Sequence, residues 1–351
     1  MRTWSNWLRG AVVIMISVML AGSADFASAE PIEGLSSRTQ LVGMYENGLE
    51  RFLIRERAGN LELIYDTETR PDSVFSTYSS FPLVARAVNS YRLLSYGPLA
   101  KQAVTVVFER DRSERGVALV IGATKFNRKF FDVEEGKTFQ IKPLLTTTEL
   151  RQKALAALPP PEQGIFIEPE LLEVVTLDPT IKLDIRYAGT NNFMGIQLYD
   201  EPRAFLQRSA AEALVRVNGL LKKYGYGLIV YDAYRPWYVT KMFWDATPDR
   251  QKMFVADPAK GSRHNRGCAV DLGFYDLTTG EPVDMGSDFD EFSIRAYPTF
   301  PGGTSEQRFR RELLQTLMAA ENFTVYPEEW WHFDFFNWRK YPILNLKFDE
   351  L

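Results

Sequence analysis

Residues Pro159-Pro160-Pro161 separate two stretches whose apolar residues recur with different periods, and that change limits the fold more than any other feature. Three prolines in a row cannot sit inside a helix or a central strand, and they stiffen the chain toward polyproline. Before them, from Leu41 to about Pro143, short apolar runs alternate with turns: Arg51–Arg57, Leu61–Tyr65, Ala103–Phe108 and Val117–Ile121. Ala58-Gly59-Asn60 has the composition of a hairpin turn, and Asp111–Gly116 that of a charged loop. Strands at this spacing predict a small antiparallel sheet or barrel. No set of His, Asp, Glu, Ser or Lys with catalytic spacing occurs there, so an accessory packing or binding role is expected. Thr148–Leu158 reads as a helix running into the prolines, with Thr148 as N-cap and Leu150, Ala154, Leu155 and Leu158 on one face.

Beyond the prolines the period lengthens. Leu206, Ala210, Leu214, Val217 and Leu221 recur at three and four residues, which predicts a long amphipathic helix over Arg203–Tyr224, ended by Gly225 and Gly227. Leu228–Tyr231 and Gly267–Phe274 read as buried strands, and Phe323–Tyr326 and Trp331–Phe335 as two more. A second helix is expected over Thr304–Glu321, with Thr304 and Gln307 spaced as a capping box and Phe309, Leu313 and Leu317 facing inward. Helices packed on one mainly antiparallel sheet make this an α+β domain, preceded by a small β-rich one. The expected divisions are 1–29, a leader; 30–145, the β-rich accessory domain; 146–164, a helix and Pro-rich linker; and 165–351, the α+β domain.

The leader is expected because Arg2 and Arg9 flank an apolar Ala11–Leu20, followed by the small-x-small step Ala27-Ser28-Ala29. That predicts an export signal cleaved after Ala29 and a periplasmic mature protein with no membrane span. The apolar stretch is shorter than the ~20 residues that cross a bilayer. A net charge of -4 gives no basic excess for gripping nucleic acid. The single cysteine, Cys268, forbids an internal disulfide or a thiolate zinc cluster and reads as a small buried residue.

Only two histidines occur, so any two-histidine site has one possible pair. They lie in Ser262-Arg263-His264-Asn265-Arg266-Gly267-Cys268-Ala269-Val270-Asp271 and in Glu328-Glu329-Trp330-Trp331-His332. Two imidazoles and a carboxylate form a three-ligand zinc site with a fourth position open, the arrangement of catalytic zinc. A carboxylate that is not a ligand then moves the proton of the attacking water, and Glu329 is the candidate. On an unbroken strand, residues three or seven apart point to opposite faces. His264 and Asp271 therefore require a break, which Gly267 offers, and Glu329 and His332 require a turn or bulge near Glu329.

SRHNRGCAVDL together with EWWHF resembles the D-alanyl-D-alanine dipeptidases of the vancomycin-resistance type, zinc peptidases related to D,D-carboxypeptidases and the hedgehog fold. The resemblance runs from roughly Leu177 to the C-terminus. It implies one zinc ion per chain held by His264, Asp271 and His332, with Glu329 as general base. It also implies that Arg235, in Tyr231-Asp232-Ala233-Tyr234-Arg235-Pro236, stabilises the oxyanion, and that Tyr187, Ser262 and Asp290 recognise a dipeptide with a free ammonium. The expected substrate is D-Ala-D-Ala or a related cell-wall peptide. Two other readings compete: a D,D-carboxypeptidase acting on longer wall peptides, and a wall-binding protein that has lost turnover. The leader and the added N-terminal domain are departures from the minimal cytoplasmic enzymes.

Overall fold

The structure, a computed structural model, describes residues 34–48, 50–66, 75, 77–94, 104–131 and 139–351. The leader and its cleavage site lie outside these. The chain divides into two compact units: one up to Phe131 together with Thr299–Phe309, the other Asp132–Pro298 with Arg310–Leu351. The segment 146–164 thus lies within the second unit.

In the first unit, a short helix α1 (Leu35–Thr39) precedes eight strands: β1 (Gly43–Asn47), β2 (Glu50–Arg57), β3 (Asn60–Asp66), β4 (Tyr78–Ala87), β5 (Ser90–Leu93), β6 (Val104–Arg110), β7 (Gly116–Ile121) and β8 (Thr124–Lys129). Each pairs with its sequence neighbour and β8 pairs with β1, so the sheet closes into an antiparallel barrel. Between β2 and β3, Ala58 (φ 47°) and Gly59 (φ 82°) both adopt positive φ, the two-residue turn that matches strand twist. Alternation fills the interior: on β6, Val104, Val106 and Phe108 point in while Thr105 and Val107 point out. Edge-on rings such as Tyr91–Phe108 (5.5 Å) and Phe52–Phe126 (4.8 Å) occupy the middle. Side chains thus fill the barrel, as eight strands permit.

The second unit combines α2 (Thr147–Ala156), β9 (Leu171–Glu173), α3 (Val174–Leu177), β10 (Lys182–Leu183), β11 (Phe205–Gln207), α4 (Arg208–Leu221), β12 (Tyr226–Asp232), α5 (Trp237–Ala246), β13 (Ala269–Asp276), β14 (Phe323–Tyr326) and β15 (Glu329–Phe335). A further helix, α6 (Ser305–Ala320), begins in the segment assigned to the first unit and continues into the second. The main sheet has the order β10-β12-β13-β15-β14, parallel only between β10 and β12, and β9 pairs with β11 in a two-stranded ribbon. Ala210, Leu214, Val217 and Leu221 of α4 share one core with Leu228, Val230, Val270, Leu272 and Phe333 of the sheet. The class is α+β, with a β-rich N-terminal region.

Several local expectations are corrected. Thr146, not Thr148, caps α2: its hydroxyl accepts from Glu149 N while the Glu149 carboxylate accepts from Thr146 N. Leu150 and Ala154 are buried, but Leu155 and Leu158 are exposed. The long helix starts at Arg208, because Phe205–Gln207 pairs with β9 instead. Leu313 and Leu317 face inward whereas Phe309 is exposed. Thr304 and Gln307 do form the expected reciprocal pair (2.8 and 3.2 Å). Among the described residues no helix is long and apolar enough to cross a membrane.

Candidate active site

Three neighbouring strands bring the site together. Asp271 on β13 lies opposite His332 on β15, and Asp232 at the end of β12 lies opposite Asp271. Directly opposed residues project from the same face, so the register alone aligns these three side chains. His264 arrives from outside the sheet on a short 3-10 turn, His264–Arg266, which ends at Gly267 with φ 67°. The left-handed φ is what calls for glycine, and a Cβ there would also stand 2.5 Å from Leu171 Cδ2, whose side-chain end would have to move. Glu329 reaches the site through an irregularity: Val325 pairs with Phe333 but Tyr326 pairs with Glu329, leaving Trp330–His332 as a bulge. Both breaks required by the spacing are therefore present.

The inner atoms converge. His264 Nε2 is 3.2 Å from His332 Nδ1 and 3.4 Å from Asp271 Oδ2, and His332 Nδ1 is 2.9 Å from Asp271 Oδ1. All three residues are buried, with their candidate ligand atoms within 4.8 Å of one another. The outer ring nitrogens are occupied: His264 Nδ1–H donates to the Ala233 carbonyl (2.7 Å) and His332 Nε2–H to Asp334 Oδ1 (3.1 Å). Those bonds turn an imidazole lone pair inward from each ring. A tetrahedral ion with bonds of ~2.0–2.1 Å keeps its donors roughly 3.3 Å apart, close to these spacings. The donor set fits a divalent metal.

The electrostatics agree. Burial alone would raise the Asp271 carboxyl, but the two imidazoles outweigh it and hold the group well below the usual carboxylate range. Burial alone would lower His332, yet its bonds to Asp271 and Asp334 lift it to about 10. Opposite shifts in touching groups are those of an Asp271–His332 ion pair, in which a bound cation would take the place of the shared proton. Glu329, with Oε2 3.8 Å from His332 Nδ1, is raised by burial and by the Asp271 charge, with the imidazoles and Arg235 offsetting part.

Arg235 follows β12 in the connection to α5. Its Nε and Nη2 both donate to Asp232 Oδ2 (2.9 and 2.6 Å), and its guanidinium lies 4.6 Å from the Phe243 ring centroid and 5.3 Å from that of Tyr187. Asp232 is fully buried and also accepts from the Tyr199 hydroxyl (2.7 Å) and the Ala233 amide (2.9 Å). Tyr187 and Asp290 are joined, the hydroxyl donating to Asp290 Oδ2 at 2.8 Å. Asp290 holds φ 57°, and burial, then the Asp271 charge, push its carboxyl well above the usual range. Ser262 stands apart from that pair. Its hydroxyl accepts from the His264 amide (3.3 Å), and among the described residues no hydrogen bond links it to Tyr187 or Asp290. Cys268 is wholly buried and its thiol is pushed up by burial, which suits packing rather than ligation.

Sequence reasoning did not single out Asp232, Asp334, Arg263 or the Ala233 carbonyl. Asp334 lies two residues beyond His332 on one strand, a spacing that places both on one face and was a readable signal. Asp232 precedes Arg235 by three residues across a strand end, where no period applies.

The family model described as D-ala-D-ala dipeptidase, of the M15 peptidases, matches residues 168–345, a span that contains every candidate site residue. A protein of Escherichia coli K12 named D-alanyl-D-alanine dipeptidase is 34% identical over 179 residues, 51% of this chain and 91% of its own length. Proteins of the same name from Enterococcus faecium and Enterococcus faecalis are 33% and 31% identical, covering 48% and 49% of this chain and 91% of each relative.

Proposed function

The chain belongs to the D-ala-D-ala dipeptidase family of M15 peptidases, and from that premise we propose that it hydrolyses free D-alanyl-D-alanine with a single zinc ion. His264 Nε2, His332 Nδ1 and an Asp271 oxygen would hold the ion. When bound it supplies Lewis-acid chemistry, acidifying a water and polarising a carbonyl. The observation that carries the proposal is the half-buried carboxylate of Glu329 beside those donors, 3.8 Å from His332 Nδ1 and not needed to complete the ligand set.

The chain's own groups then divide the work. Glu329 accepts the proton of the attacking water and returns it to the departing amine, so that peptide cleavage ends as a carboxylate and an ammonium. Arg235 offers a fixed positive charge to the oxygen that becomes negative, and Asp232 holds the guanidinium in place so that little reorganisation accompanies the reaction. Asp290, steadied by Tyr187, takes the substrate ammonium. The carboxyl is protonated more readily than usual when alone, and an arriving cation allows it to ionise. Ser262, on the segment leading into the His264 turn, would meet the substrate separately from that pair. The leader-like sequence supports export and cell-wall peptide as the source of substrate.

Hydrolysis of D-Ala-D-Ala compared with its N-acetyl derivative tests this. Losing one partner of a buried charge pair costs about 2–5 kcal/mol, so the acylated substrate is expected to be cleaved ~30-fold or more less efficiently. Equal or faster cleavage of the acylated peptide would replace this reading with a D,D-carboxypeptidase. Zinc binding without turnover of either would leave a wall-binding protein.

A further inference from the structure

Asp334 takes no part in the chemistry above, yet it is buried and shares its two carboxylate oxygens between two elements of the site. Oδ1 accepts from His332 Nε2 at 3.1 Å, and Oδ2 is ion-paired with Arg263. Arg263 directly precedes His264, and its guanidinium lies 5.2 Å from the ring centroids of both Tyr326 and Trp338. One ion pair therefore ties the turn that carries the first imidazole to the strand that carries the second.

The two nitrogens of a neutral imidazole are not equivalent: one carries a proton, the other a lone pair. Asp334 Oδ1 accepts from Nε2 while Arg263 holds Oδ2, so the proton that His332 gives up to take a metal is the one on Nδ1. The lone pair of Nδ1 then faces His264 Nε2, 3.2 Å away, and Asp271. Without that anchor the ring is free to rotate, or to carry its proton on the inner nitrogen, and either change removes a donor. We propose that Asp334, clamped by Arg263, is a positioning residue that fixes His332 as an Nδ1 donor and thereby sets the affinity of the site for metal. This rests on the metal-site reading above.

The test is zinc affinity of the full chain by chelator competition, with far-UV circular dichroism and the melting temperature of the metal-stripped protein as controls. Removing an outer partner of a ligating histidine typically weakens metal binding by ~10–100-fold, and that loss is expected for Asp334→Ala. Asp334→Asn keeps an oxygen opposite Nε2 but loses the ion pair to Arg263, so a smaller loss of ~3–10-fold is expected. Wild-type affinity in Asp334→Ala, or equal losses in the alanine and asparagine variants, would overturn the orienting role. Should the alanine variant fail to fold, Arg263→Gln decides, since that side chain is 34% exposed. A ~3–10-fold loss supports the clamp and unchanged affinity overturns it. Failure of the underlying metal reading looks different: wild type itself takes up no zinc, or His332→Ala binds it as tightly as wild type.

Discussion

At the scale of single residues, the decisive contrast lies between groups that hold the ion and the one that moves protons. Glu329→Gln is expected to retain one zinc per chain while kcat falls by ~10²–10⁴, the usual contribution of a general base. His332→Ala should lose both metal and activity. Atomic absorption of the two dialysed proteins separates the roles, and equal zinc in both contradicts them. The raised pKa of Glu329 gives a second test. A base works ionised, so activity disappears as pH falls through its pKa; in the metal-free site burial raises that pKa above the ordinary 4.5 of a glutamate, and a bound divalent cation would lower it again. A kcat/KM profile with no acid limb, or an acid limb that persists unchanged in Glu329→Gln, is incompatible with Glu329 as the base. His264, Asp271, His332 and Glu329 were legible because two histidines leave a single pair to consider. Asp232 and Asp334 were passed over because each acts through another side chain rather than on the substrate or metal, although their partners Arg235 and His332 lie only three and two residues away.

At the scale of elements, the irregular backbone matters more than the regular. The turn at Gly267 and the bulge at Trp330–His332 could be deduced from side-chain period alone, because the chemistry required residues of opposite strand parity to meet. Gly267→Ala is expected to lower the melting temperature by roughly 2–8 °C, from the ~1–2 kcal/mol of a left-handed non-glycine residue. It should also weaken zinc binding, because relieving the left-handed strain at position 267 shifts the turn that carries His264. A variant with unchanged melting and unchanged zinc affinity would contradict that account. Element ends were less readable. Leu206 continues the apolar period of α4 backwards, so sequence alone could not show that Phe205–Gln207 leaves the helix to pair with β9. The capping box of α2 was written in the sequence as Thr146 followed three residues later by Glu149, but three consecutive threonines obscured which one serves. β8, with only Phe126 and Arg128 turned inward among polar neighbours, carries too weak an apolar pattern to be recognised.

At the scale of the whole molecule, the two units should answer metal removal differently. Every candidate ligand lies in the second unit, so stripping zinc should lower the melting transition of that unit and leave the barrel's own transition in place. Free ligand at a hundred times its dissociation constant stabilises by about 2.7 kcal/mol, which differential scanning calorimetry with and without a chelator resolves. A thermogram insensitive to the chelator would contradict the metal site. The boundary between units was the part of the architecture least visible in the sequence. A change of period marks where one pattern gives way to another, but it cannot reveal that Thr299–Phe309, eleven residues from deep within the peptidase sequence, count with the barrel. The polypeptide consequently passes between units three times, at 131/132, 298/299 and 309/310. Domain shuffling by recombination usually works on segments joined by a single thread, and this pair is laced rather than strung. Relatives matched over 91% of their own length by about half of this chain manage without the barrel, so gaining or losing it here entails changing Thr299–Phe309 within the hydrolase sequence as well.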